Sequence, residues 1–247
     1  MQTHFEDAWT SDHLVTEPPI LYFGTPVVLI STRNEDGSVN LAPMSSAWWL
    51  GWRCVLGLAS GSKTTENLLR TGECVLNLPS DRQTAMVDGL ALTTGSDPVP
   101  EGKGRRGYRH ERDKFGVAGA TAQASDLVDV PRVRECPVQL EAVLAADHAM
   151  AEDNPEWRGR SLILETRILR VHADPSVLCS GEPDRIDPDR WRPLIMSFQR
   201  FYGLAPNELA PSRLATVPES LYRTPDLGST GGFGSERRRG GRPGRTS

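Results

Sequence analysis

Pro26-Val-Val-Leu-Ile-Ser-Thr-Arg33, followed at once by Asn34-Glu-Asp-Gly37, is the stretch from which the fold can be read. Its β-branched residues favour an extended chain, and Asp36-Gly37 supplies the positive φ that a tight hairpin turn needs. Two antiparallel strands should meet there, with the return strand over residues 38–42. Outward from the hairpin, the chain runs through Pro43-Met-Ser-Ser-Ala-Trp-Trp49 into a third strand at about residues 52–58, so it begins as a meander. Residues 63–70 then read as a short helix, with Thr64 as N-cap, Glu66 in the first turn, Arg70 in the last and Gly72 as terminator. A strand at residues 73–78, closed by Pro79, and a helix at residues 81–90, capped by Ser80 or Asp81, follow. Residues 135–146 and 161–173 alternate apolar and polar side chains over lengths that suit long curved strands. The expected class is mainly β with short helices, built around an antiparallel barrel.

Composition narrows the function. The 247 residues are 38% apolar and 24% charged, with a formal charge of −4. That charge is uneven: Arg237, Arg238, Arg239, Arg242 and Arg245 against Glu236 make the C-terminal stretch about +4 and leave the rest roughly −8. A nucleic-acid-binding body is therefore not expected. No apolar run approaches the roughly 20 residues that span a bilayer, and no basic region followed by an apolar one opens the chain. A cytoplasmic protein without membrane segments is the expectation. Cys54, Cys74, Cys136 and Cys179 form no CxxC pair, and His4, His13, His110, His148 and His172 are scattered, so reduced thiols and no metal site are expected. Residues 93–113 hold six Gly or Pro among charges and read as a long surface excursion. From about residue 206 apolar periodicity is lost, and the Gly/Arg-rich end reads as disordered.

Gly57-Leu-Ala-Ser-Gly-Ser-Lys-Thr64 carries the most chemistry. A strand ends in small residues and a lysine, and a helix opens with two threonines. Unsatisfied helix N–H groups, the positive end of the helix dipole, the Thr64 and Thr65 hydroxyls and Lys63 together suit a phosphate. An ordinary capped helix is the plainer alternative. The stretch also lies one residue from a triphosphate-binding loop, but Ser62 stands where that loop needs glycine, and the antiparallel hairpin argues against its parallel βαβ setting. Gly102-Lys-Gly-Arg-Arg-Gly107 matches GxGxxG in letters only, because it follows Asp97-Pro-Val-Pro100 and not a strand. Asn40-Leu-Ala-Pro-Met-Ser-Ser-Ala-Trp48 can lay backbone and small polar groups against a planar heterocycle, or else fill a core as a bulged strand. No Gly-x-Ser-x-Gly elbow or Cys/His pair offers a nucleophile, so no catalytic side chain is assigned and a cofactor would have to carry the chemistry.

The order of these segments, with Asp113-Lys-Phe-Gly116 and Glu135-Cys-Pro137 after them, resembles the flavin reductase-like proteins with an FMN-binding split β-barrel. The resemblance implies a Greek-key antiparallel barrel over residues 19–205, preceded by an arm at 1–18 and followed by an extension at 206–247. It further implies a homodimer with FMN in a groove near the subunit interface. By position, Asn40, Met44, Ser45 and Ser46 would line the isoalloxazine, while Ser60, Lys63, Thr64, Thr65 and Asn67 would hold the ribityl phosphate. Lys114 and Phe115 fall where relatives carry a Lys-Phe pair near the cleft. Ser197-Phe198-Gln199-Arg200 stands where relatives often carry glycines near the nicotinamide.

The implied activity is that of an oxidoreductase in which NADH or NADPH reduces the flavin, with reduced flavin supplied to a flavoprotein oxygenase or used on a small substrate. Ring stacking suffices for hydride transfer, so the missing acid–base pair is compatible with it. A non-catalytic FMN carrier or sensor, an FMN-dependent oxidoreductase acting directly on a small organic substrate, and a barrel that has lost its ligand remain the alternatives.

Overall fold

The computed structural model describes residues 13–222. The first twelve residues and residues 223–247, the Arg-rich part of the extension expected to be disordered, lie outside that range. The strands are β1 (Thr25–Pro26), β2 (Val28–Arg33), β3 (Val39–Met44), β4 (Ala47–Leu50) and β5 (Arg53–Ala59). Helix α1 (Lys63–Thr71), β6 (Glu73–Leu78) and α2 (Thr84–Gly89) follow, the last entered through a 3-10 turn with a Ser80/Gln83 capping box. The excursion contains β7 (Thr93–Thr94), α3 (Glu101–Gly104) and β8 (Arg109–His110), and leads to α4 (Lys114–Ala118), β9 (Ala122–Gln123) and β10 (Arg132–Val133). The long strands β11 (Val138–Ala149) and β12 (Ser161–Ala173) precede β13 (Leu178–Cys179), β14 (Glu182–Ile186), β15 (Ile195–Ser197) and β16 (Arg200–Tyr202). Residues 206–222 carry two 3-10 turns, Arg213–Thr216 and Glu219–Tyr222. No helix among the described residues is long and apolar enough to cross a membrane.

Seven strands form one antiparallel sheet in the order β3-β2-β6-β11-β12-β5-β4. Its two edges, β3 and β4, are joined by only Ser45 and Ser46, so the sheet must curl until its ends meet there without pairing, an open barrel. The expected hairpin is present: Val28 faces Met44, Arg33 faces Val39, and Gly37 closes the turn at φ +81°. Strand β2 is buried on both faces because its side chains alternate between two cores. Val28 and Ile30 join Leu56, Leu76, Leu140 and Leu164 inside the barrel, while Leu29 packs outward with Leu41, Val87, Leu90 and Leu194 beneath α2.

Two sequence expectations are corrected. Residues 47–50 form a separate strand paired with β5 across Gly51, at φ +58°. The cap of α1 is Ser62, not Thr64: Ser62 Oγ accepts from Thr65 N at 3.1 Å, and Gly72 ends the helix at φ +72°.

Candidate functional site

The site is organised by the turn between β5 and α1. Ser62 N donates to Ala59 O at 3.0 Å, turning the chain from β5 into α1. Thr65 turns inward, donating to Ala59 O at 2.9 Å with Ser62 Oγ at 2.8 Å. Thr64 is buried against β3, where its Oγ1 accepts from Asn40 Nδ2 at 3.1 Å. One turn on, buried Asn67 donates to Thr32 Oγ1 at 3.1 Å and Asn34 Oδ1 at 2.7 Å, and accepts from Arg70. Asn40, Thr64 and Asn67 thereby tie α1 to the β2–β3 hairpin and Thr65 ties it to the end of β5, while in these bonds the Thr64 hydroxyl only accepts. Ser60 and Lys63 remain half-buried: Ser60 Oγ donates to Arg160 O at 3.2 Å, and Lys63 Nζ lies 2.5 Å from Glu66 Oε2.

The second group lies at the seam between β3 and β4. Thr25 Oγ1 donates to Ser45 O. Ser46 exchanges hydrogen bonds with Gly57, receiving its N–H at 2.8 Å and donating Oγ to its carbonyl at 2.5 Å. A Cβ at Gly57 would stand 3.5 Å from Ser46 Cβ, an ordinary packing contact, so two small residues face each other across the seam. Met44 packs against the barrel core beside Trp49, whose Nε1 is buried without a partner, while Trp48 stays largely exposed. From Gly57 to Ser60 is three residues of nearly extended chain, about 10 Å. The structure therefore sets the Met44, Ser45 and Ser46 seam and the Ser60 and Lys63 turn at the two ends of one stretch of β5.

Sequence reasoning missed the part played by the excursion. Thr93, Thr94 and Ser96 are buried rather than on the surface, and a Cβ at Gly95 would stand 2.5 Å from Asn40 Oδ1 and 3.0 Å from Lys63 Cγ. Lys114 is buried, with Nζ on Thr93 Oγ1 at 2.5 Å; burial pushes its pKa down to about 8, Lys103 and Arg109 add to this, and Glu111 opposes it. Phe115 packs into the outer core. A cleft of about 370 Å³ opens between the β2–β3 turn, Lys63, Asp97 and His110. The signal for this packing was the run of small residues in Thr93-Thr-Gly-Ser96, which a loop reading passes over.

Elsewhere, Cys54, Cys74 and Cys136 are buried free thiols, pushed up by burial to about 12 for Cys54, and Cys179 is half-buried. Asp126, Glu141 and His172 gather ligand atoms within 4.8 Å. The Glu141 oxygens are already occupied by the N–H groups of Asp126, Leu127 and Val128 and by His172 Nε2 at 2.6 Å. That group is a knot tying the loop before β10 to β11 and β12.

Known proteins share the fold of this chain. YdfE of Bacillus subtilis (strain 168), an uncharacterized protein, is 37% identical over 188 residues, covering 76% of this chain and 87% of that one. The flavoredoxin of Desulfovibrio vulgaris (Miyazaki F) superposes with a TM-score of 0.64 at 18% identity, covering 83% of this chain and 99% of its own. Nitrilotriacetate monooxygenase component B from Bacillus cereus gives 0.64 at 17% identity, covering 81% and 100%. These structures share the fold, a split barrel of strands with few short helices. The family model for the flavin reductase like domain matches residues 20–205, almost the whole described barrel, and the chain therefore belongs to the flavin reductase-like family, as a flavin-related oxidoreductase.

Proposed function

We propose that the chain binds FMN, with the isoalloxazine along the seam of Met44, Ser45 and Ser46 and the phosphate at the β5–α1 turn. The observation that carries this is the pairing of small residues at Gly57 and Ser46 with Ser60, about 10 Å further along the chain, and with the Lys63 side chain and helix N-terminus just past the end of β5. The donor set fits the group: Ser60, Lys63 and the first turn of α1 suit a phosphate, and the seam offers backbone and hydroxyl groups to a ring edge. When bound, the flavin supplies two-electron redox chemistry that no side chain of the site provides.

The protein's part is positional. Asn40, Thr64, Thr65 and Asn67 hold α1 in place through the hydrogen bonds described above, so the phosphate meets a rigid turn. Ser60 and Lys63 orient the phosphate, and Met44 and Trp49, packed against the barrel core, hold the seam along which the ring lies. NADH or NADPH is proposed as the electron donor, a flavoprotein oxygenase as a consumer of reduced flavin, and a homodimer as the working state.

A second reading is favoured by one feature. Phe198 and Gln199 occupy the β15–β16 tip where relatives often carry glycines near the nicotinamide, and the Phe198 ring packs on Phe23 with centroids 5.2 Å apart. This suits a flavin carrier, or an enzyme that acts on a small organic substrate, more than a nicotinamide-fed reductase. Absorption spectra of the purified chain with FMN, followed by anaerobic NADH and NADPH, separate these. Bound flavin that bleaches with either nicotinamide supports the reductase, and bound flavin that stays oxidised supports the second reading. Absence of bound flavin would overturn both.

A further inference from the structure

The excursion is pressed onto the proposed flavin site at Gly95, where a Cβ would stand 2.5 Å from Asn40 Oδ1 and 3.0 Å from Lys63 Cγ. Lys103, on α3, is held over the same place. Its Nζ donates to Thr94 Oγ1 at 3.0 Å, one hydrogen bond for a group with three donors. Tyr108 backs it, with the ring centroid 6.0 Å from Nζ. No carboxylate among the described residues forms an ion pair with Lys103. Glu66, whose charge reaches it, is already bound to Lys63.

Lys63 shares its cleft with Glu35, Asp36, Asp97 and Glu111, of which Asp36 and Glu111 are paired with Arg112 and Arg109, while Lys103 and Lys114 bring two further ammonium groups to Thr94 and Thr93. Burial pushes Lys103 below the usual lysine range, with Arg106 adding and Glu66 opposing. Lys114 lies near enough for the two ammonium groups to oppose each other's charge. In the same segment Ser96 Oγ is buried and lacks any hydrogen-bond partner. Ammonium groups this close, one buried and one half-buried, repel one another in the free protein, and an anion between them relieves the repulsion. The Gly-rich segment with the letters of a dinucleotide motif thus has a different use: its glycines and short helix bring a lysine to the barrel.

We propose that Lys103 is a phosphate-binding residue of the flavin site, the second ammonium beside Lys63, and that Glu66 yields Lys63 to the phosphate when the flavin binds. This rests on the reading of the β5–α1 turn as the seat of the FMN phosphate. The test is a fluorescence titration of the full chain with FMN and with riboflavin, for the wild type, Lys103→Met and Lys103→Arg. Lost charge-assisted hydrogen bonding predicts about a tenfold weaker FMN affinity for Lys103→Met. Riboflavin affinity should be unaltered, Lys103→Arg should recover most of the loss, and melting temperatures should match the wild type. Unchanged FMN affinity, or equal losses for the two flavins, would overturn the role of Lys103 while leaving the FMN reading intact. A wild type that binds neither flavin would overturn both.

Discussion

Asn67 shows how a residue that looks like a ligand contact can serve the site at one remove. Its amide is shared among Thr32, Asn34 and Arg70 in a buried pocket, so it has no donor left for a phosphate. Asn67→Ala should cost about 1–3 kcal/mol of stability through the polar groups it strands, a loss readable by urea denaturation. A neutral outcome would place Asn67 on the ligand and not in the frame. Glu141 carries the pH dependence. Burial pushes its carboxyl pKa up, but the Asp126 N–H, His172 and the Leu127 N–H outweigh that and hold it below the ordinary glutamate value. A depressed folded pKa contributes stability above the unfolded value of about 4.3, and this contribution is lost as pH falls through the folded pKa. Glu141→Gln should therefore be less stable than the wild type at neutral pH by on the order of 3 kcal/mol. The gap should narrow below about pH 4, and denaturation midpoints measured between neutral and acid pH would show it; a constant gap would contradict the assignment.

Among the elements, strand β4 and the β15–β16 tip depart most from what local sequence suggests. Ala47-Trp-Trp-Leu50 alternates inward and outward in space, but all four residues are apolar, so its period is invisible to a hydropathy reading. Ser62, Thr64 and Thr65 are all capping types, and only burial of the two threonines against β3 and Ala59 decides for Ser62. The hairpin at Gly37 was legible because its turn chemistry is local. The packing of Gly95 was not, because it depends on a contact with Asn40, fifty-five positions away in the chain. At the β15–β16 tip, Phe198 and Gln199 adopt φ of +44° and +65°, values that cost an L-residue roughly 1 kcal/mol or more. Gln199→Gly should raise stability by about 0.5–1 kcal/mol, a rise of a few degrees in Tm. A fall would mean that the Gln199 side chain contributes contacts that outweigh the strain.

At the scale of the molecule, the barrel is open where β3 passes into β4, and the candidate flavin groups gather along that opening. Strands β5, β11 and β12 build the rigid wall, α1 caps one end, and the excursion closes over it. Much of this order was readable from turn signals and strand lengths. The division of candidate residues into those that hold α1 and those left to meet a ligand was not, since both kinds are small and polar, and only burial separates them. The central claim is that the β5–α1 turn seats a flavin phosphate, and the most direct measurement compares FMN with riboflavin affinity for the wild type and Lys63→Met at one ionic strength. The wild type is predicted to bind FMN at least about tenfold more tightly than riboflavin, with most of that preference lost in Lys63→Met. Equal affinity of the wild type for the two flavins would contradict it.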